Sequence, residues 1–301
     1  MSNRIIECVP NISEGRDRSV VNAIAGAAVG TGCRLIDVSS DPDHNRSVIT
    51  LVGDETGLEQ GVLRLVAAAV ARIDLTRHSG AHPRMGAVDV IPFIPVTDTT
   101  MEDCVALSRR VGESISEQFE IPVFLYEESA QRPDRRNLAK IRKGEFEGLA
   151  AKLADPAWAP DYGPEVPHPQ AGAVAVGARE FLIAFNVNLA TDNLSVAKRI
   201  ASAVRHSSGG LRYVKALGLA LEERGIVQVS MNLTNFRKTP VLRVFDMVRR
   251  EAERMGVLVL ESEIIGKIPR QALVDVAISS LQVRSFELSM ILEEGIEEAE
   301  R

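Results

Sequence analysis

The 301 residues predict an α+β protein of two tandem ferredoxin-like (βαββαβ) units, with helices packed on mixed or antiparallel sheets. Three observations predict it. Short apolar runs alternate with amphipathic helical stretches, the same order of elements occurs twice, and at least one strand alternates sides as a sheet with one covered face requires.

The first unit opens with a strand at 5–9, Ile5-Ile6-Glu7-Cys8-Val9, followed by a helix in which Val21, Ile24 and Ala28 share a face. Strands at 35–38 and 48–52 flank the turn-forming Asp41-Pro42-Asp43-His44-Asn45. A helix with Leu58, Val62, Leu65, Val66, Ala69 and Ile73 on one side and a strand at 88–93 complete the order. The chain continues through a helix at 101–115 and a strand at 123–126.

The second unit begins with Phe181-Leu182-Ile183-Ala184-Phe185 and a helix carrying Leu194, Ala197, Ala201 and Val204 on one face. Strands at 213–221 and 226–233 flank Glu222-Glu223-Arg224-Gly225, whose glycine suits a tight hairpin. In the latter strand Val227, Val229, Met231 and Leu233 occupy one side. A helix with Val241, Val244, Phe245, Val248 and Ala252 and a strand at 257–260 repeat the order. Between the units, a stretch from Asp155 to Pro169 is dense in proline and can be neither helix interior nor central strand. It is an interdomain linker or a shaped loop lining a cleft.

A net charge of −6 argues against coating nucleic acid, which relies on surplus Lys and Arg. Cys8, Cys33 and Cys104 form no CxxC pair and read as reduced, buried thiols. The start of the chain has no signal-peptide pattern and no apolar run reaches membrane-spanning length, so the cytosol is the expected compartment.

The most informative stretch is His78-Ser79-Gly80-Ala81-His82-Pro83-Arg84-Met85-Gly86-Ala87-Val88-Asp89. Two histidines four apart would share a helix face, as in zinc proteases, but Gly80 and Pro83 oppose a helix and no glutamate lies between them. No metal is expected. The residue before a proline favours extended geometry, so His82 is placed in a loop feeding the next strand. An imidazole there can take and give protons near neutrality, or be structural. His44 reads as a turn residue, and His206 beside Ser207-Ser208-Gly209-Gly210 lacks a phosphate-loop context. The stretch Arg132-Pro133-Asp134-Arg135-Arg136-Asn137, with Lys140, Arg142 and Lys143, reads as a solvated helix face, or else as a patch for a polyanion such as a polyglutamate tail.

Several of these runs together resemble the glutamate formimidoyltransferase (formiminotransferase) family: Glu7-Cys8-Val9-Pro10-Asn11-Ile12-Ser13-Glu14-Gly15, His82-Pro83-Arg84-Met85-Gly86, Trp158-Ala159-Pro160-Asp161, Phe181-Leu182-Ile183-Ala184-Phe185-Asn186-Val187-Asn188 and Val229-Ser230-Met231-Asn232-Leu233-Thr234. The resemblance spans nearly the whole chain. It implies transfer of a formimino group from N-formimino-L-glutamate to N5 of tetrahydrofolate, in histidine breakdown. It also implies subdomains at 1–178 and 179–301 with folate held between them, and a homodimer. The family's catalytic histidine falls on His82. Its folate-contacting loop falls on Gly163, Pro164, Glu165, Val166, Pro167, His168, Pro169, Gln170, Ala171 and Gly172, which favours the shaped-loop reading of the proline-rich stretch.

Arg46 or Arg84 is expected to fork onto a substrate carboxylate. Asn11, Asn186 and Asn188 either contact substrate or cap the adjacent helices. The bifunctional relatives carry a cyclodeaminase domain for which a chain ending at Arg301 leaves no room, so a separate cyclodeaminase is expected to use the product. Lys267 stands where the family pattern leads one to expect an apolar residue, which bears on packing there. Three other readings stand beside the main one: one-carbon transfer between 5-formyltetrahydrofolate and glutamate in the same pocket, a non-catalytic folate-binding module, and a metal-dependent hydrolase built from His44, His78 and His82.

Overall fold

Val9-Pro10 breaks one extended run into β1 (Ile5–Cys8) and β2 (Asn11–Ile12), and this interrupted strand is the centre of the first sheet. The computed structural model describes residues 4–80 and 82–299; Ala81 and Arg301, named above, lie outside it. The chain divides into two units, one running to Glu180 and the other from Phe181.

In the first unit the run is followed by α1 (Arg18–Ala28), β3 (Cys33–Asp41), β4 (Arg46–Gly53), α2 (Glu55–Val70) and β5 (Val88–Thr97). The helices start where side chains satisfy their free amides: Asp17 accepts from Ser19 and Val20, and Asp54 from Gly57. β1 and β2 lie antiparallel between β4 and β5, and β3 pairs outside β4. Ile6, Cys8, Ile12, Ile49, Leu51, Ile91 and Phe93 face the helices and pack with Val21, Ile24, Leu58, Val62 and Leu65. All three cysteines are free and buried.

The chain then adds α3 (Met101–Phe119), opened by a Thr100–Asp103 capping box, β6 (Val123–Glu127), and the short helices α4 (Leu138–Arg142) and α5 (Leu149–Leu153). Strand β7 (Val174–Ala178) has no counterpart in the sequence reading. It inserts parallel between β5 and β6 and every residue is buried, so Val-Ala-Val-Gly-Ala shows none of the two-residue alternation that marks a half-covered strand. On the face away from α1 to α3, Val90, Phe124, Tyr126, Ala173 and Ala175 pack with Ile141, Leu149 and Leu153.

The second unit contains β8 (Ile183–Leu189), α6 (Leu194–Val204), β9 (Val214–Leu221), β10 (Ile226–Leu233), α7 (Val241–Arg254), β11 (Val259–Ile265), α8 (Arg270–Leu281) and α9 (Leu292–Ala299). Its sheet runs β11-β8-β10-β9, all antiparallel, with Gly225 at φ 62° closing the β9–β10 hairpin. The first unit's β5, β1/β2, β4 and β3 stand in the same relative order. The α+β class read from the sequence is thus the one observed. The last strand lies further on than 257–260, because pairing with β8 begins at Val259 and carries on through Glu261 and Glu263. Those charges hid it, since an edge strand tolerates polar residues that a buried one does not. Lys267 is exposed, so it displaces no core residue.

Glu7 is the odd residue of β1. Its neighbours Ile6 and Cys8 face the helices, while Glu7 is buried with 7% of its surface exposed and no hydrogen bond among the described residues. Burial, only partly opposed by Arg179, pushes its pKa up from 4.5 to about 7. A raised carboxyl pKa means that the folded state loses stability as pH climbs from the unfolded value to the folded one. The loss levels off above pH 7 at about 3 kcal/mol. Glu7→Gln is therefore expected to be more stable than wild type at pH 8 and little different near pH 4. Urea midpoints at the two pH values measure this, and a Gln variant no better than wild type at pH 8 would contradict it.

Candidate active site

His82 stands in the loop that runs from the 3₁₀ turn Leu75–Arg77 into β5. Backbone pairings fix that loop. Ser13 N donates to Ala87 O (2.9 Å), Ala87 N to Ala171 O (2.9 Å) and Ala173 N to Met85 O (3.0 Å). Asp89 Oδ1 accepts from Met85 N at 2.9 Å and Ser13 Oγ donates to Gly86 O at 2.8 Å. Gly86 and Gly172 let the two segments approach: a Cβ at Gly86 would stand 2.0 Å from Ala173 O, and one at Gly172, where φ is +68°, 2.1 Å from Met85 O. The end of the loop 163–172 is thereby tied to the histidine segment.

Arg46, the first residue of β4, points Nη1 at His82 Nε2 from 3.0 Å. A guanidinium only donates, so Nε2 is the acceptor and a neutral ring carries its proton on Nδ1. Burial, then the positive charges of Arg46 and Arg142, push the His82 pKa down to about 3. The imidazole is neutral throughout the physiological range, with one lone pair that Arg46 occupies. The His44 ring lies edge-on to it at 5.9 Å between centroids, with its own Nδ1 3.1 Å from Asp41 Oδ2.

His78 is fixed in the opposite tautomer. Its Nε2 donates to Asn45 O at 2.9 Å, and its Nδ1 accepts from Arg84 Nε at 3.2 Å. Both ring nitrogens are thus engaged by protein, as a metal ligand's would not be. Arg84 is buried, and its two terminal nitrogens fork onto Glu147 at 2.8 and 2.6 Å, with Glu145 accepting at 3.1 Å. That fork holds the Glu147 carboxyl below its usual pKa.

Ser13, His44, Asn45, Arg46, His78, His82, Arg84 and Asp89 line one tight pocket with no room for a water molecule. Beside it, sharing His78, lies a groove of about 420 Å³ lined by Leu75, Thr76, Phe146, Glu147, Ala150, Pro167, His168 and Pro169. That volume falls in the usual range for small-molecule sites. Its proline wall is held by His168, whose Nδ1 accepts from the amides of Ala171 and Gln170 at 2.9 and 3.3 Å. The arrangement sets an imidazole, its lone pair held by Arg46, next to a slot with apolar walls and polar ends.

A model of the formiminotransferase domain, N-terminal subdomain, matches residues 5–179, and one of the formiminotransferase domain matches 184–296. The chain belongs to the formiminotransferase family. A glutamate formimidoyltransferase of Streptococcus pyogenes serotype M1 is 51% identical over 285 residues, covering 94% of this chain and 95% of the relative. That of Thermoplasma acidophilum is 50% identical over 298 residues, 98% of each. The formimidoyltransferase-cyclodeaminase of Mus musculus is 43% identical over 282 residues, covering 91% of this chain and 52% of that protein.

In this formiminotransferase chain the other expected site residues fall in both units. Asn11 donates to Val9 O at 2.8 Å, and Asn186 and Asn188 belong to the second unit. None caps a helix. Asp17 caps α1 and Asn193 caps α6, while the wholly buried Asn188 donates to Glu261 and Glu263, each at 3.0 Å, and accepts from Gln228 at 2.9 Å. The expectation of a solvated basic face at 132–143 also needs correction. Arg135 is 2% exposed and bound to Asp161 at 2.8 Å, and Arg142 Nη2 lies 2.5 Å from buried Asp89 Oδ2. The sequence reading missed Arg142, Asp89 and Glu147 as parts of the site. Asp89 ends the histidine motif and so was within reach, whereas no local pattern marks Arg142 or Glu147.

Among the described residues no helix is long and apolar enough to cross a membrane.

Proposed function

We propose that this chain moves the formimino group of N-formimino-L-glutamate to N5 of tetrahydrofolate, giving 5-formiminotetrahydrofolate and L-glutamate. The observation that carries it is the identity of half the residues, over nearly the full length, with two relatives named glutamate formimidoyltransferase. Tetrahydrofolate is a co-substrate, and the chemistry needs no metal.

In the reaction N5 of the folate attacks the amidine carbon and loses its proton. The tetrahedral intermediate then expels the glutamate nitrogen, which gains one. His82 takes the first proton on Nε2 and returns it to the leaving nitrogen, a transfer that contributes about a hundredfold to ten-thousandfold in rate. The groove bounded by Phe146, Pro167 and His168 takes the folate, with loop 163–172 as its wall. Arg46 receives a substrate carboxylate, since the fork of Arg84 is already filled by Glu147.

The shared strand order supports two tandem ferredoxin-like subdomains, 1–178 and 179–301. We further propose that the protein works in the cytosol as a homodimer, that Asn11, Asn186 and Asn188 serve the substrates, and that a cyclodeaminase consumes the product.

The test is an assay of L-glutamate release from formiminoglutamate with and without tetrahydrofolate. Strictly folate-dependent release is expected. Consumption of 5-formyltetrahydrofolate alone, with formiminoglutamate untouched, would replace this reading.

A further inference from the structure

Three buried nitrogen donors around His82 have no acceptor among the described residues: Arg46 Nε, Arg142 Nε and Arg142 Nη2. The last lies 2.5 Å from Asp89 Oδ2 but off the line that a hydrogen bond needs, and that oxygen is itself left without a donor. Buried donors are nearly always satisfied, so several unsatisfied ones in one place point to a missing acceptor.

The charges agree. Arg46 and Arg142 share the carboxylate of Asp89, whose other oxygen is taken by Met85 N. Asp41, the last residue of β3, has its oxygens held by His44 and by the amides of Asp43 and His44. Arg84 is balanced separately by Glu145 and Glu147. Arg46 and Arg142 nevertheless repel one another, and burial together with Arg142 pushes the Arg46 pKa down to about 10 even against the pull of Asp89 and Asp41. A planar carboxylate fits such a pair of guanidinium groups in both charge and shape.

We propose that Arg46 and Arg142 together seat a carboxylate of the acidic amidine substrate, and that its arrival draws Arg46 Nη1 off His82 Nε2, unmasking the lone pair for proton transfer. The idea rests on the function proposed above and adds Arg142 as a substrate-binding residue. Its physical content is a gate. With the site empty, burial and the charges of Arg46 and Arg142 together make the imidazole a weak base. With a carboxylate in place, one cation is neutralised and the other moved, and the base regains strength only when substrate is present.

The test uses the full chain with ¹⁵N-labelled histidine and L-glutamate as the probe. Saturating L-glutamate should raise the titration midpoint of His82 by at least about one unit toward the ordinary histidine value and change its Nε2 shift. In Arg46→Gln the midpoint should already be raised and should no longer respond. In Arg142→Gln the KM for formiminoglutamate should rise about tenfold to a hundredfold, the loss expected for a charge-assisted hydrogen bond, with a smaller change in kcat. Arg142→Lys should recover part of it. A wild-type enzyme that turns over while His82 ignores L-glutamate would overturn the gate and leave the function standing. Absence of turnover would overturn both.

Discussion

His82→Ala should lower kcat for formimino transfer by about a hundredfold to ten-thousandfold while leaving the dissociation constant for the folate within a few-fold of wild type. The separation follows from where the side chain is. His82 lines the tight pocket with Arg46 and is not among the residues of the adjoining groove, where Phe146, Pro167 and His168 form the walls. Removing the imidazole deletes the proton acceptor without deleting the slot. Steady-state turnover and folate binding by fluorescence quenching measure the two quantities. Undiminished turnover would show that His82 only shapes the loop, and equal losses in both would mean that the slot depends on it.

Arg135→Ala should destabilise the first unit by about 3–5 kcal/mol, the usual cost of stranding one member of a buried ion pair. Arg135 is 2% exposed, its Nη1 reaches Asp161 Oδ2 at 2.8 Å, and its guanidinium lies over the Phe124 ring at 5.3 Å. Asp161 Oδ2 also accepts from Leu125 N at 2.8 Å, so the carboxylate cannot swing out to water when its cation is removed. Urea denaturation at pH 7 measures the change through the midpoint. A shift worth less than about 1 kcal/mol would place Arg135 among ordinary surface cations. Because Asp161 precedes the loop 163–172, the variant is also expected to weaken folate binding.

Much of the fold was legible because its signals are local. The alternation of Val227, Val229, Met231 and Leu233 needs only β10 itself, and these residues face the helices as the period requires. The apolar face of α3 and its capping box lie within one helix length. The loop position of His82 follows from Pro83 and the flanking glycines, neighbours in the chain.

What the sequence left open depends on partners far along the chain. Strand β7 is covered on both faces by elements that begin elsewhere, so its own residues carry no alternation to read. Arg84 resembles any motif arginine until Glu147, 63 residues on, fills its fork. Arg135 and Arg142 sit in a run of charges that looks solvated, and only packing against Asp161 and Asp89 takes them out of water.

By itself, then, the sequence determined the order of elements within each βαββαβ repeat, the faces of their helices and the family to which the histidine motif belongs. The tertiary structure decided which charged groups are desolvated and which lone pair is occupied. Periodicity is written within a few residues, whereas the burial of a charge is fixed by whatever the fold lays over it.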